Sequence, residues 1–144
     1  MNKEFLDLGL QPLANKYLNL KEKKSKYKEE KYRLKVGFNT KSKLVSLYKK
    51  IPIKKMFNNT YPYKSSMSQT MLKSFKLLSK KIKKRFNPNL FLEIGSNDGV
   101  LIKNFNKDKV ICVEPCSNLA KITRSMGYYT YDEYWNIKLA KKIK

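Results

Sequence analysis

From Leu90 onward the sequence alternates short apolar runs with segments of helical period, and this alternation limits the fold more than any other feature. Leu90-Phe-Leu-Glu-Ile94 is a brief continuous apolar run, as a parallel strand buried on both faces requires. Val110-Ile-Cys-Val113 and Tyr128-Tyr-Thr-Tyr131 repeat the pattern. Between these runs, Gly99 to Asn106 can start a helix and Asn118 to Met126 reads as another, with a last helix from about Glu133 to the end. The order βαβαβα implies an α/β fold whose parallel sheet is joined by right-handed crossovers. Three strands leave that sheet with an unpaired edge, so a further C-terminal segment or a second chain is expected to complete it.

The turn after the first of these strands carries the chemistry. In Glu93-Ile-Gly-Ser-Asn-Asp-Gly99, Gly95 can take the tight turn without a Cβ clash, and Gly99 lets backbone or ligand approach closely. Asn97 stands where many dinucleotide-type turns have a middle glycine, and Asn is the non-glycine residue that best tolerates positive φ. The N-terminus of a helix opening at Gly99 would offer free N–H groups to an anion such as a carboxylate. Glu114 ends the second strand, about 20 residues beyond the turn, where an acid is suited to accept hydrogen bonds from ribose hydroxyls. A nicotinamide or flavin dehydrogenase fits less well, because Glu93 precedes the turn and the three-glycine fingerprint is absent.

Upstream, residues 1–60 read as a small irregular module with β character. Leu8-Gly-Leu-Gln-Pro-Leu13 is turn-rich, and Lys21 to Lys31 is a charged loop or frayed helix. Leu34-Lys-Val-Gly-Phe38 and Lys43-Leu-Val-Ser-Leu-Tyr48, joined by the turn formers Asn39-Thr-Lys-Ser42, predict a hairpin. Residues 61–89 form a connector and a linker helix. Ser66 and Gln69 have the spacing of a capping box. Met67, Met71, Phe75, Leu78, Ile82 and Phe86 then recur every three or four residues on one helical face, until Asn87-Pro88 stops the helix. A basic amphipathic helix can lie on a membrane surface, but the expectation is that this stripe packs on the next domain, residues 90–144.

The formal net charge is +22, with 33 Lys and Arg against 11 Asp and Glu. Lysine-rich surfaces bind phosphates by releasing counterions. Only Arg33, Arg85 and Arg124 are arginines, however, and arginine is the residue that bidentate readout favours. The lysines are spread along the chain beside many Asn, Ile and Tyr, a mixture that AT-rich coding produces. The reading is a solvated surface; a nucleic-acid partner is not expected, and a small basic nucleic-acid-binding protein is the alternative class. No apolar run reaches the roughly 18 residues of a membrane span, and Met1 to Asp7 lacks the features of a secretory signal. A cytoplasmic protein with no membrane partner is expected. The chain has no histidine, so imidazole acid–base catalysis is excluded for it, and no catalytic residue is identified. Cys112 and Cys116, its two cysteines, make no metal set by themselves.

Four segments, taken in order, resemble the nucleotide-sugar C-methyltransferase family. They are Asp7-Leu-Gly-Leu-Gln-Pro-Leu-Ala-Asn15, Tyr61-Pro-Tyr-Lys-Ser-Ser-Met-Ser68, Phe91-Leu-Glu-Ile-Gly-Ser-Asn-Asp-Gly99 and Val113-Glu-Pro-Cys-Ser-Asn118. The resemblance implies a degenerate zinc-binding-like module, a linker helix and part of a Rossmann-like domain that binds S-adenosylmethionine. It implies that Glu93, Gly95, Asn97 and Gly99 line the methionine part of the cofactor, with Ser96 and Asp98 in the same turn. Glu114 would hold the ribose with Pro115 beside it, and Tyr61 and Tyr63 would contact the cofactor or a nucleotide-sugar substrate. Family members carry two Cys-x-x-Cys pairs for zinc. Here Asn39 and Ser42 stand where the second pair falls and the first lies before the chain begins, so no zinc is expected. A histidine common on the family's linker helix is replaced by Ser74. The family's catalytic base and much of its sugar site lie beyond the third strand, so the expectation is a cofactor-binding half, or a truncated non-catalytic remnant.

Overall fold

The computed structural model of the protein describes residues 2–24 and 28–144. The chain divides into two compact units, Met1–Met56 and Phe57–Lys144. One has an antiparallel sheet and the other a parallel one, so the class is mixed α and β. No helix among the described residues is long and apolar enough to cross a membrane.

In the first unit, strand β1 (Asn2–Pro12) pairs antiparallel with β2 (Lys31–Asn39), which pairs antiparallel with β3 (Val45–Leu47). The predicted hairpin is therefore β2 and β3. The segment from Leu8 to Pro12, read as a turn, belongs to β1. The register shifts between Asp7 and Leu10, where Gly9 sits at φ +69° and donates its N–H to Asp7 Oδ1 at 2.9 Å. A bulge absorbs the turn formers without ending the strand. In the hairpin turn, Asn39 Oδ1 accepts from the N–H groups of Lys41 (3.0 Å) and Ser42 (2.9 Å). The two positions compared with a zinc pair are thus linked by a side-chain-to-backbone bond. The charged stretch opens as a one-turn helix, α1 (Leu20–Lys24). Asn19 and Glu22 cap it reciprocally, each donating a backbone N–H to the other's side chain at 2.9 Å. Part of that stretch, residues 25–27, lies outside the described residues. Among the described residues of this unit, Leu13 is the only large apolar side chain that is fully buried. Cross-strand ion pairs line the sheet instead: Arg33 with Asp7 at 2.7 Å, and Lys35 with Glu4 at 3.0 Å and Asp7 at 3.6 Å. Helix α2 (Ile53–Met56) ends the unit.

The second unit begins with a connector that makes a 3-10 turn at Ser65–Met67, followed by helix α3 (Gln69–Phe86). The cap is Ser68, whose hydroxyl accepts from Met71 N–H at 3.3 Å, and the predicted Ser66–Gln69 box does not form. The 3-10 turn uses up Ser65 to Met67, so Met67 leaves the apolar stripe and is 78% exposed. Asn87 closes the helix in the left-handed region, at φ 38°, directly before Pro88.

Strands β4 (Phe91–Ile94), β5 (Val110–Val113) and β6 (Tyr129–Tyr131) pair in parallel in the order β4-β5-β6. Helix α4 (Ser117–Ser125) links β5 to β6, and α5 (Ile137–Ile143) follows, starting at an Asn136 cap rather than at Glu133. No α-helix forms between β4 and β5, where Gly99 to Asn106 had the pattern for one. That crossover contains 3-10 turns at Ile102–Asn104 and Lys107–Lys109. Its polar residues bond locally: Asn104 Nδ2 donates to the carbonyls of Val100 and Leu101, and Asn106 Oδ1 accepts from Asp108 N–H. Asn and Asp compete with helix formation in this way. Ile102, Val110, Cys112 and Tyr128 form the core, and Phe91 and Phe105, stacked on each other with ring centroids 4.4 Å apart, pack against it. Thr123 of α4 meets Thr130 of β6, hydroxyl to hydroxyl, at 2.8 Å on that same sheet face. On the other face Ile94 is 50% and Tyr129 62% exposed.

Ser68→Ala is expected to cost about 1 kcal/mol of stability, and Ser66→Ala only a few tenths; urea unfolding read through α3 separates the two caps. Arg33, by its hydrogen bond and charge, and the Gly9 N–H hold the Asp7 carboxyl down at about 2. Its contribution is present above its ordinary value and is lost as pH falls through about 2. An NMR titration of Asp7 is expected to show that low midpoint, and Arg33→Ala is expected to move it upward.

Candidate functional site

The residues singled out in the sequence meet at the carboxyl ends of β4 and β5. Three positions in one turn adopt positive φ: Gly95 (76°), Asn97 (51°) and Gly99 (82°). The glycines serve different needs. A Cβ at Gly95 would meet nothing within 4 Å, so its backbone angle alone calls for glycine. At Gly99 a Cβ would also come within 3.2 Å of Ile102 Cδ1 and Thr123 Cγ2, where the crossover and α4 pack closely. Gly95 and Ser96 N–H donate to Val113 O at 2.7 and 3.3 Å, which sews the turn to β5.

Glu114 ties the rest together. It is 4% exposed. Its Oε2 accepts from Asn97 N–H at 2.7 Å and its Oε1 from Cys116 N–H at 2.9 Å. Pro115 between them has no N–H to offer. Asn97 Oδ1 accepts from Ser65 N–H at 2.9 Å, and its Nδ2 donates to the Tyr63 carbonyl at 3.2 Å. Both carboxylate oxygens of Asp98 lie 3.3 Å from Ser66 N–H. Asn118 Nδ2 donates to the Tyr61 carbonyl at 2.8 Å. The connector is thus clipped across the turn through the backbone of Tyr61, Tyr63, Ser65 and Ser66. Tyr61 and Tyr63 reach the turn by their carbonyls, while the Tyr61 ring packs at 5.3 Å on Phe57 and Tyr63 is exposed.

No α-helix opens at Gly99: Gly99 to Leu101 form turns that lead into the 3-10 turn at Ile102–Asn104. Acids gather here instead: Glu93 within β4, Asp98 in the turn, Glu114 after β5 and Asp132 after β6. Asp132 accepts from Ser117 Oγ at 3.2 Å and lies 3.6 Å from Arg124. Burial, and then the charge of Glu114, push the Glu93 carboxyl up to about 7. Glu93 Oε2, Ser96 Oγ and Asn118 Oδ1 are buried with no hydrogen-bond partner among the described residues. Buried polar atoms of this kind call for a partner of ligand or solvent origin. Neither Asn118 nor Asp132 was singled out in the sequence, although Asn118 falls at the end of one of the four segments. Cys112 and Cys116 are free and buried; burial pushes their thiols up to about 11 and about 12. Among the described residues no group of three or more Cys, Asp or Glu could hold a metal ion.

No family model matches the chain, and no curated protein matches it in sequence.

Because Glu93 binds its proton more tightly folded than unfolded, folding stability falls as pH rises from its ordinary 4.5 through about 7 and levels above that. The loss is on the order of 3 kcal/mol. Glu93→Gln is expected to remove most of this slope and to stabilise the unit above neutral pH, read from urea midpoints across that range.

Proposed function

We propose that this chain is the cofactor-binding half of an S-adenosylmethionine-dependent methyltransferase, with a nucleotide-linked keto-sugar as methyl acceptor. The observation that carries the reading is the turn: three positive-φ positions between two parallel strands, with acids ranged along the strand ends. Ligands of open parallel sheets bind outside the carboxyl ends of the strands. The sequential order β4-β5-β6 suits the opening half of a Rossmann-like sheet.

The residues fit the cofactor by charge and by unmet hydrogen bonds. A nucleoside with ribose hydroxyls and a cationic amino-acid tail is rich in donors, and Glu93, Asp98 and Glu114 are acceptors. Glu93, Gly95, Ser96, Asn97, Asp98 and Gly99 would line the methionine end, and Glu114 and Pro115 the ribose. Each Glu114 oxygen keeps a lone pair after its N–H bond. Tyr61 and Tyr63 border the acceptor side. When bound, the cofactor supplies a methyl group already activated on a sulfonium. The task left to the protein is to hold an acceptor carbon in line and to take up its proton. Nothing in the turn is placed to be that base: Asp98 is engaged by Ser66 N–H. The base is therefore assigned to a further segment or a second chain.

A second reading, a remnant that folds but binds nothing, is favoured by Glu114, whose two oxygens already serve Asn97 and Cys116. Calorimetric titration with S-adenosylmethionine and S-adenosylhomocysteine separates the two. Saturable binding that Glu114→Gln weakens by about 1–3 kcal/mol is expected, with urea midpoints measured alongside to separate loss of contact from loss of the turn. A folded chain that takes up neither compound would leave the remnant.

A further inference from the structure

Helix α3 carries an ordered line of charge. Lys73, Lys76, Lys80 and Lys84 recur at steps of three and four residues, which stacks them along one face, and all four are exposed. At 1.5 Å rise per residue the line is about 16 Å long. The neighbouring Lys83 and Arg85 are engaged with rings, at 5.3 Å from Phe105 and from Phe86 respectively. No Asp or Glu occurs between Glu30 and Glu93. Among the described residues none of the four ammonium groups has a carboxylate within ion-pair distance. Like charges three and four residues apart destabilise a helix. The line is a standing cost that a run of anions would relieve.

We propose that this lysine line is a docking surface for the phosphate backbone of a nucleic acid. A single strand carries one phosphate per nucleotide, and in a duplex each strand adds one for about every 3.4 Å of rise along the axis. Four cations in a line of this length are a counter-charge for a short run of such a backbone. A lipid surface is a poorer match. A helix lying on lipid inserts a continuous apolar face, whereas Met71, Phe75 and Ile82 are half-buried and Ser79 is fully buried. The well-exposed Leu77, Leu78 and Phe86 are spread around the helix at 100° per residue rather than aligned. Lysine offers a point charge and no planar fork, so the contact is to phosphate and independent of base sequence. The inference does not rest on the cofactor reading.

The test is fluorescence anisotropy with a labelled single strand of about 16 nucleotides, titrated from about 50 to 200 mM salt. The parent is compared with a variant carrying Lys73→Gln, Lys76→Gln, Lys80→Gln and Lys84→Gln. A control of equal net charge carries Lys41→Gln, Lys49→Gln, Lys50→Gln and Lys54→Gln. Losing four contacts is expected to flatten the slope of log K against log salt by about 3 and to weaken binding more than about tenfold. The control is expected to change less than about threefold. Arginine at the four helix positions keeps the charge and is expected to bind as the parent does, which guards against a folding artefact, and circular dichroism checks α3. Equal losses in variant and control would assign binding to net charge and overturn the proposal. So would failure of the parent to bind at the lowest salt, or tighter binding, dependent on the same lysines, to phosphatidylglycerol vesicles than to the oligonucleotide.

Discussion

The carboxylate of Glu114 holds two parts of the second unit at once. One oxygen takes Asn97 N–H from the turn after β4, and the other takes Cys116 N–H at the start of α4. With Asn97 fixed by its backbone, its side-chain amide is aimed at the connector, where it meets Ser65 and Tyr63. The order of dependence runs from a buried acid to a turn, and from the turn to a strap that leads into α3. A buried carboxylate is costly unless hydrogen-bonded. Glu114 satisfies that condition with backbone donors. Glu93 beside it does not, and its proton is retained toward neutral pH.

Much of this unit was legible in the sequence because its signals are local. β4 and β6 are apolar runs bounded by Gly, Asn or Asp, β5 is one between Lys109 and Glu114, and α4 follows a plain helical period. The positive φ of Gly95, Asn97 and Gly99 follows from residue type, since few residues other than these accept it. What failed did so through competition between neighbours. The stretch after Gly99 has helical spacing, but Asn104 and Asn106 spend their side chains on nearby backbone and hold the chain in 3-10 turns. Three serines sit near the start of α3, and which one caps it is decided by Asp98, which engages the backbone of Ser66 from 32 residues away. No spacing rule sees that contact. The clip itself, from Asn97, Asp98 and Asn118 to the connector, lay outside any local reading for the same reason.

The first unit was harder to read because it does not follow the usual division between an apolar inside and a polar outside. Gly9 suggests a break, yet β1 runs past it and ends only at Pro12, paired to β2 along its length. Ion pairs spanning the two strands supply cross-strand specificity where buried side chains are few. Charged pairs at a solvated surface contribute little stability each. They do penalise a one-residue slip, which would turn Asp7 away from Arg33.

The two cysteines have a quieter consequence. Thiolate rather than thiol reacts with oxidants and electrophiles, and burial keeps Cys112 and Cys116 protonated well above neutrality. These two thiols, at the end of the central strand and at the cap of the following helix, are unreactive while the unit is folded. They become reactive only when that strand end separates. Their oxidation is therefore gated by how often the fold breathes, unlike that of the exposed Met67 thioether, which any oxidant can reach directly.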